Sequence, residues 1–425
     1  MFRSLSARVL LAIALGLAGG AALTAWGGPD VTVWTDPVEA LGGLWLNGLR
    51  MTVIPLVFAL LVTGIASVTD AAATGRLAAR AIGLFAILLV VAAIYTTLAT
   101  QGLLAVWPVD ATGAQALRTG AGAAQQAAVE APSFADFIRS LAPSNPIKAA
   151  AEDAILPLVV FAVFVGFAAT RLPDRLRTPL VILFEAIAET MIVIVRWVLW
   201  VAPIGVFALS LGVGLRAGLG AAGALLQYVT VVSLVTAGIA LLPYLMIALR
   251  RGGVGVGAFA RAAAPVQALA FSTQSSLACL PAMIERANDD LRIPTRITGL
   301  VLPLAVAVFR LTSPVANLAV VYFVAHVYGI QPSLTQMLAA GFVALAVSVG
   351  SVGLPGQISF FVSVTPICIA LGAPLELLPI LLAVEVIPDI FRTIGNVTGD
   401  LGVAAMLKAR GDEAVEVVDP TSAPA

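Results

Sequence analysis

Long apolar segments recur along this chain, and their length restricts the fold more than any other feature. A helix needs about 20 apolar residues to cross the hydrocarbon layer of a bilayer. Hydrophobic residues make up 60% of the sequence and charged residues only 11%, against roughly 25% charged in soluble domains. The predicted spans lie near residues 6–26, 43–68, 78–106, 141–170, 179–213, 221–249, 296–328 and 375–407. The sequence therefore predicts an all-α protein that crosses the membrane several times.

Two further apolar segments are interrupted halfway by small residues and a proline. Residues 258–292 break at "STQSSLACLP", and residues 334–372 break at "SVGSVGLPGQ". Each is either a kinked ordinary helix or a re-entrant helical hairpin. Irregular backbone at membrane depth is tolerated only when it is buried in protein or lines a cavity. A pair of interrupted segments is also the best sequence indication of a transporter binding site, so we expect two hairpins.

The distribution of basic residues predicts the orientation. Eight spans and two hairpins place both chain ends on the same side of the membrane. Most of the 23 Lys and Arg residues then fall on that side, which predicts cytoplasmic termini. Residues 109–132 read as a long external loop, and residues 411–425 as a disordered cytoplasmic tail.

The last apolar span carries a ladder of polar residues. They are spaced three or four positions apart, so they lie on one face of a helix. The ladder consists of Asp389, Arg392, Thr393, Asn396 and Asp400, and Glu385 extends it by one turn. A solvated face at a helix end is the simpler interpretation. Charges this deep in apolar sequence usually face the bundle interior and handle a ligand or an ion, so we favour a binding site.

Other site classes lack support in the sequence. Cys279 and Cys368 lie in apolar segments and do not suggest a disulfide framework, and the single His326 cannot build a histidine metal site. We expect no bound cofactor. No nucleophile–base pair, nucleotide motif or basic patch is visible, so neither an enzyme nor a nucleic-acid-binding protein is predicted.

Six motifs in order along the chain resemble the glutamate transporter family, the dicarboxylate/amino acid:cation symporters. They are "RMTVIPLVFALLVTGIASV" (50–68), "APSNP" (142–146), "VAPIGVFAL" (201–209), "FSTQSSLACLP" (271–281), "SVGSVGLPGQ" (348–357) and "DIFRTIGNVTGD" (389–400). The resemblance implies eight transmembrane helices plus two re-entrant helical hairpins, built as inverted repeats in an elevator-type transporter. It also implies a homotrimer in the plasma (inner) membrane.

The resemblance divides the chain into a static scaffold and a moving transport domain. The scaffold would comprise residues 1–74 and 141–215. The transport domain would comprise residues 75–108 and 216–410, with residues 109–140 as an external loop and 411–425 as the tail.

The resemblance also assigns roles within the site. Arg392 would bind the substrate's side-chain carboxylate, and Asp389 its α-amino group. Thr393 and Asn396 would shape the pocket and take the α-carboxylate. The remaining substrate-binding residues would come from the hairpin tips and the seventh helix: Ser275, Ser276, Ser313, Leu354 and Gly356.

The seventh helix departs from the family pattern. Where the family carries Asn-Met-Asp-Gly-Thr, this chain has "FRLTS" (309–313), so one carboxylate is replaced by Leu311 and a guanidinium arrives at Arg310. In sodium-coupled members the third helix also supplies sodium ligands. The equivalent positions here are Phe85, Leu88 and Leu89, and hydrocarbon does not ligate sodium.

This departure predicts weaker sodium coupling. One sodium site is expected to be absent, and a second is in doubt because Ala307 replaces a threonine. A single sodium ion would remain, held at Asp400 and Asn396 only. Alternatively the coupling ion is a proton, carried on Glu385, Asp389 or Asp400, while Arg310 neutralises a nearby carboxylate.

Three functions remain open from the sequence. The leading one is a secondary active transporter of acidic amino acids, aspartate or glutamate. A C4-dicarboxylate carrier is the rival within the class, with Arg310 and Arg392 each gripping a carboxylate and Asp389 neutralising Arg310. A channel-like or transport-dead substrate sensor is the rival from another class.

Overall fold

A computed structural model describes residues 5–26, 31–73, 76–121, 143–152, 155–217, 220–250, 254–350 and 356–408. Within these residues the secondary structure is helical and contains no strand. The helices are α1 (Leu5–Trp26), α2 (Val31–Ala73), α3 (Arg76–Val106), α4 (Ala111–Gly120), α5 (Pro146–Ala151), α6 (Ile155–Ala169), α7 (Asp174–Trp200), α8 (Ala202–Ala217), α9 (Gly220–Ile239), α10 (Leu242–Leu249), α11 (Val256–Thr273), α12 (Ser276–Asp289), α13 (Thr295–Val308), α14 (Thr312–Val327), α15 (Leu334–Gly350), α16 (Gly356–Leu371), α17 (Leu378–Val384) and α18 (Val386–Leu407).

Membrane-crossing length is reached by four of the described helical segments. They are apolar enough as well as long enough to span a bilayer: Arg76–Val106, Asp174–Val198, Ala222–Leu249 and Thr295–Val327. Several shorter apolar helices accompany them. The chain is thus a helical, multi-pass membrane protein, and the count of eight spans stays a prediction.

One group of helices packs around the long α2. Helices α6, α7 and α8 contact α2, and α1 lies along α8. The indole Nε1 of Trp45 on α2 donates to the backbone oxygen of Val198 on α7 at 2.9 Å. Small residues let α1 and α8 approach closely, because a Cβ at Gly16 would lie 2.7 Å from the Ser210 Cβ. Such small-residue contacts are typical of helix packing in membranes.

A second group of helices surrounds α14. Nearly every residue of α14 is buried, and its neighbours are α3, α9, α15, α16 and α18. Tyr228 on α9 packs edge-on against Phe323 on α14, with ring centroids 5.2 Å apart. A helix apolar on all sides belongs in a core, and α14 forms the core around which the polar face of α18 is placed.

The first interrupted segment is a helical hairpin rather than a kinked helix. Helices α11 and α12 pack against each other and are joined at Gln274 and Ser275. Gln274 adopts the left-handed conformation, with φ 50°, which ends α11. The arms of the second hairpin, α15 and α16, also pack together. Its predicted tip, including Leu354, lies outside the described residues.

The spans that meet near the site are discontinuous. The helical backbone breaks between α13 and α14 at residues 309–311, and between α17 and α18 at Glu385. Broken helices at membrane depth are tolerated where neighbouring protein satisfies the freed backbone groups. Both breaks lie beside the polar face of α18.

The predicted external loop is more ordered than its composition indicates. Residues Ala111–Gly120 form α4, whose first turn is capped by the carboxylate of Asp110. Leu117 is fully buried, and α4 packs against α8 and α9. The prediction of a loop is therefore wrong for residues 111–120. Small residues and few strong apolar positions concealed a helix that is held by tertiary contacts.

Candidate substrate and coupling site

The polar ladder of α18 faces the protein interior. Its five members are each at most 7% exposed, and they are Asp389, Arg392, Thr393, Asn396 and Asp400. The Thr393 hydroxyl donates to the backbone oxygen of Asp389 one turn earlier, which leaves the helix intact. The alternative of a solvated face at a helix end is therefore excluded.

Arg392 is the cation at the centre of this face. Its Nη2 lies 2.6 Å from Oε1 of Glu385, and the two side chains are 6% and 1% exposed. Its guanidinium carbon lies 6.0 Å from the ring centroid of Phe360 on α16. Among the described residues no acceptor is hydrogen-bonded to its Nε. Because burying an unpaired donor is unfavourable, this geometry favours a ligand that supplies further acceptor atoms.

Glu385 occupies the break between α17 and α18. Its Oε1 faces Arg392, and its Oε2 accepts a hydrogen bond of 2.6 Å from the Tyr228 hydroxyl. Tyr228 itself is fully buried on α9. Three elements therefore converge on one carboxylate.

Asn396 is held in one orientation by the start of α14. The backbone N–H of Thr312 donates to Oδ1 of Asn396 at 3.0 Å, and the Thr312 hydroxyl lies 2.8 Å from the same oxygen. A backbone N–H can only donate, so Oδ1 must face Thr312, and the NH₂ group must face away. Asn396 therefore presents its NH₂ group, a hydrogen-bond donor, on the side away from Thr312.

Glycines bring α18 and α14 this close. A Cβ at Gly395 would clash with Cγ2 of Thr312, and a Cβ at Gly399 would lie 3.0 Å from Cδ2 of Leu311. The spacing of these glycines places them on the side of α18 that faces the break between α13 and α14. The small residues of "TIGNVTGD" thus allow the hydrogen bonds between Thr312 and Asn396.

Arg310 is a second cation beside the ladder. Its half-buried guanidinium interacts electrostatically with the carboxylates of Asp389 and Asp400. Asp389 also interacts with Arg392. Asp400 is fully buried, and within the described chain neither of its oxygens accepts a hydrogen bond. The break between α13 and α14 therefore brings a positive charge towards two buried carboxylates.

The helix break is covered by hydrocarbon on its other side. Phe309 stacks on Phe85 of α3, with ring centroids 4.5 Å apart and planes 9° from parallel. Leu88 and Leu89 on α3 and Leu311 at the break are buried as well. These side chains offer no oxygen to a sodium ion.

The hairpin residues predicted for the site lie at the starts of two different helices, α12 and α16. The Ser275 hydroxyl accepts from the backbone N–H of Ala278 and thereby caps α12, and Ser276 opens that helix. Cys279 of α12 interacts electrostatically with Asp400. Gly356 begins α16.

Ser313 connects α14 to the second hairpin. Its hydroxyl lies 3.1 Å from that of Ser348 on α15 and accepts from Nδ2 of Asn317 at 3.4 Å. All three side chains are buried. Ser313 therefore lies in a polar cluster between the core helix and one hairpin arm.

Comparison with known proteins decides the family. Residues 5–410 match the sodium:dicarboxylate symporter family. This chain belongs to that family. A proton/glutamate-aspartate symporter of Escherichia coli (strain K12) is 30% identical over 93% of this chain and 90% of its own length. A proton/sodium-glutamate symport protein of Geobacillus stearothermophilus is 25% identical over 95% and 93%. A C4-dicarboxylate transport protein of Deinococcus deserti is 27% identical over 98% and 91%.

Membership of the sodium:dicarboxylate symporter family confirms the prediction made from the six motifs. The family consists of transporters, so this chain is a transporter and not an enzyme. Its relatives include, as their names state, symporters of acidic amino acids, C4-dicarboxylate transport proteins and neutral amino acid transporters. Family membership therefore leaves the choice between these substrates to the residues of the site.

Two contributors to the site in this family member were not singled out from the sequence. Tyr228 was missed, although the polar pair Gln227–Tyr228 inside an apolar helix was a usable signal. Thr312 was noted only as part of an altered motif, yet it orients Asn396 through both its backbone and its hydroxyl. In each case the partner is more than 80 residues away in sequence, and local patterns do not indicate pairing at that distance.

Proposed function

We propose that this protein is a secondary active transporter of acidic amino acids, aspartate or glutamate, working by an elevator mechanism with reduced or absent sodium coupling. The observation that carries the proposal is the buried Arg392, whose Nε has no acceptor among the described residues. A guanidinium offers a planar fork of donors that fits a carboxylate. Arg392 thus binds the side-chain carboxylate of the substrate.

Asp389 argues for an amino acid rather than a plain dicarboxylate. It lies one turn from Arg392 on the same buried face, and a carboxylate there binds an ammonium group. Asn396 supports this assignment, because its NH₂ group faces away from Thr312 and can donate to the α-carboxylate. Ser275 and Ser276 lie at the start of α12, where the free backbone N–H groups of a helix N-terminus favour binding of an anion.

A C4-dicarboxylate is the second candidate, and one observation favours it. Asp389 interacts with Arg310 as well as with Arg392, so its charge is partly used within the protein. In that case two arginines would bind two carboxylates, as the similarity to a C4-dicarboxylate transport protein also suggests.

The surroundings of the helix break support reduced sodium coupling. The stacked Phe85 and Phe309, with Leu311, replace oxygen ligands by hydrocarbon. Oδ1 of Asn396 already accepts hydrogen bonds from Thr312, which leaves the carboxylate of Asp400 as the main side-chain ligand of any remaining sodium ion. Arg310 supplies a fixed positive charge beside Asp400. A transport domain that crosses the membrane nearly neutral then needs fewer bound cations.

Domain organisation supports the elevator proposal. Helices α1, α2, α6, α7 and α8 pack together as the proposed scaffold. In the proposed transport domain α3, α9, α15, α16 and α18 pack against α14, and α10–α13 pack against α18. Cytoplasmic termini and a homotrimer belong to the same proposal.

The test is radiolabelled uptake into proteoliposomes that contain the purified protein. We expect aspartate uptake to persist when choline replaces sodium at fixed pH, and unlabelled aspartate to compete far better than succinate. Succinate competing as well as aspartate would select the dicarboxylate carrier. A steep, saturable sodium requirement would contradict reduced coupling, and absence of counterflow would indicate a sensor.

A further inference from the structure

The ion pair between Glu385 and Arg392 carries an inference about coupling that rests on the proposed function. We propose that Glu385 is the proton-accepting residue of this transporter: it pairs with Arg392 in the empty site and becomes protonated when the substrate carboxylate takes its place. Substrate and proton then enter the site together.

The geometry makes Glu385 a competitor of the substrate. Its Oε1 is 2.6 Å from Nη2 of Arg392, one of the donors that a substrate carboxylate would use. Its Oε2 accepts from the Tyr228 hydroxyl at 2.6 Å. The side chain is 1% exposed, so a displaced Glu385 carboxylate has no access to bulk water within the described fold.

Charge balance then requires a proton. In the empty site one guanidinium faces one Glu385 carboxylate, and the pair is neutral. Addition of a substrate carboxylate leaves two anions on one cation, and an uncompensated buried charge is strongly unfavourable. One proton forms an O–H bond on Glu385 and restores neutrality, and no other bond forms or breaks.

Glu385 is better suited to this role than the other two buried acids near the site. The charged and titratable groups that face it are Arg392 and Asp389 on α18 and Tyr228 on α9, with Cys368 of α16 acting on Tyr228. Arg392 is the cation that acts on it among the described residues. Asp389 and Asp400 both interact with Arg310 and keep that cation when a substrate occupies Arg392. When a substrate occupies Arg392, Glu385 therefore loses its cationic partner, whereas Asp389 and Asp400 keep theirs.

The test measures proton uptake when aspartate binds to the purified full-length protein. Calorimetric titrations in buffers of different ionisation enthalpy give the number of protons taken up. We expect about one proton per aspartate for the unaltered protein, and affinity that falls about tenfold per pH unit once Glu385 is ionised in the empty site. Glu385→Gln should abolish the proton uptake and flatten the pH dependence. Glu189→Gln on the exposed face of α7 is the matched control and should change neither.

A second variant keeps the carboxyl group and guards against misfolding of the first. Tyr228→Phe removes a donor that stabilises the charged form of Glu385, so the pH dependence of aspartate affinity should move to higher pH. Aspartate binding without proton uptake, the same uptake in Glu385→Gln, or an unshifted profile in Tyr228→Phe would each overturn the proposal. Failure of the unaltered protein to bind aspartate would instead contradict the proposed function.

Discussion

Arg392 is the side chain on which recognition of an anionic substrate depends. We expect Arg392→Ala to weaken aspartate binding by about 2–5 kcal/mol, at least ~30-fold, because a buried carboxylate would lose its charged partner. Isothermal calorimetry in detergent measures the loss. Arg171→Ala, in the exposed turn before α7, is the control and should bind normally. Near-normal aspartate affinity in Arg392→Ala would show that the substrate is held elsewhere.

Asp389 decides between the two substrate classes. If its carboxylate binds the α-amino group, Asp389→Ser should reduce aspartate affinity far more than succinate affinity, since succinate has no ammonium group. Competition against radiolabelled substrate gives both values. Asp289→Ser, at the exposed end of α12, serves as the control. Equal losses for both ligands would assign Asp389 to neutralising Arg310.

The contact between α18 and the start of α14 is a helix–helix feature with its own prediction. A methyl group at Gly395 would clash with Thr312, and overpacking of this kind costs about 1–3 kcal/mol. Gly395→Ala should therefore lower the thermal unfolding temperature and also weaken substrate binding, because Thr312 orients Asn396. Gly299→Ala on α13 has no atom within 4 Å of the new Cβ and should be neutral or slightly stabilising. Equal behaviour of the two variants would contradict the close contact.

The break between α13 and α14 sets the expected ion dependence. Arg310→Met combined with Leu311→Asp restores the carboxylate that the family pattern carries there and removes the extra guanidinium. We expect this double variant to make aspartate uptake stimulated by sodium, while uptake by the unaltered protein is sodium-independent. Leu311→Asn with Arg310→Met has a similar size without the carboxylate charge and is the control. Sodium stimulation of both variants, or of neither, would show that a carboxylate at the break does not determine sodium coupling.

The exposed apolar surface of the proposed scaffold is consistent with association of several chains into an oligomer. Only 17% of the apolar window of α7 is buried within a single chain, so this helix must contact lipid or another copy. We expect native mass spectrometry of the protein released from detergent to give three chains. A uniform monomer that still exchanges aspartate would show that trimer formation is dispensable for transport.

The amino-acid sequence by itself determined the class of protein and much of the site. Apolar run lengths indicated a multi-pass helical protein, because the bilayer fixes the length of a span. Spacing of three and four residues placed the ladder from Asp389 to Asp400 on one face, and the interior position of that face followed from the cost of exposing charge to lipid. The hairpin in residues 258–292 was also predictable, because "STQSSLACLP" cannot continue an apolar helix without interruption.

Tertiary structure decided how those residues are paired. Glu385 with Tyr228, Thr312 with Asn396 and Phe85 with Phe309 join positions 84 to 224 residues apart in the chain. Each pairing depends on how helices approach one another, which local sequence does not specify. For Thr312 and Asn396 the close approach is made possible by Gly395 and Gly399. Helix α4 shows the same limit, since it is rich in small residues yet packs against α8 and α9 and buries Leu117. The sequence thus identifies the charged residues and the helix faces on which they lie, and tertiary packing determines which side chains pair.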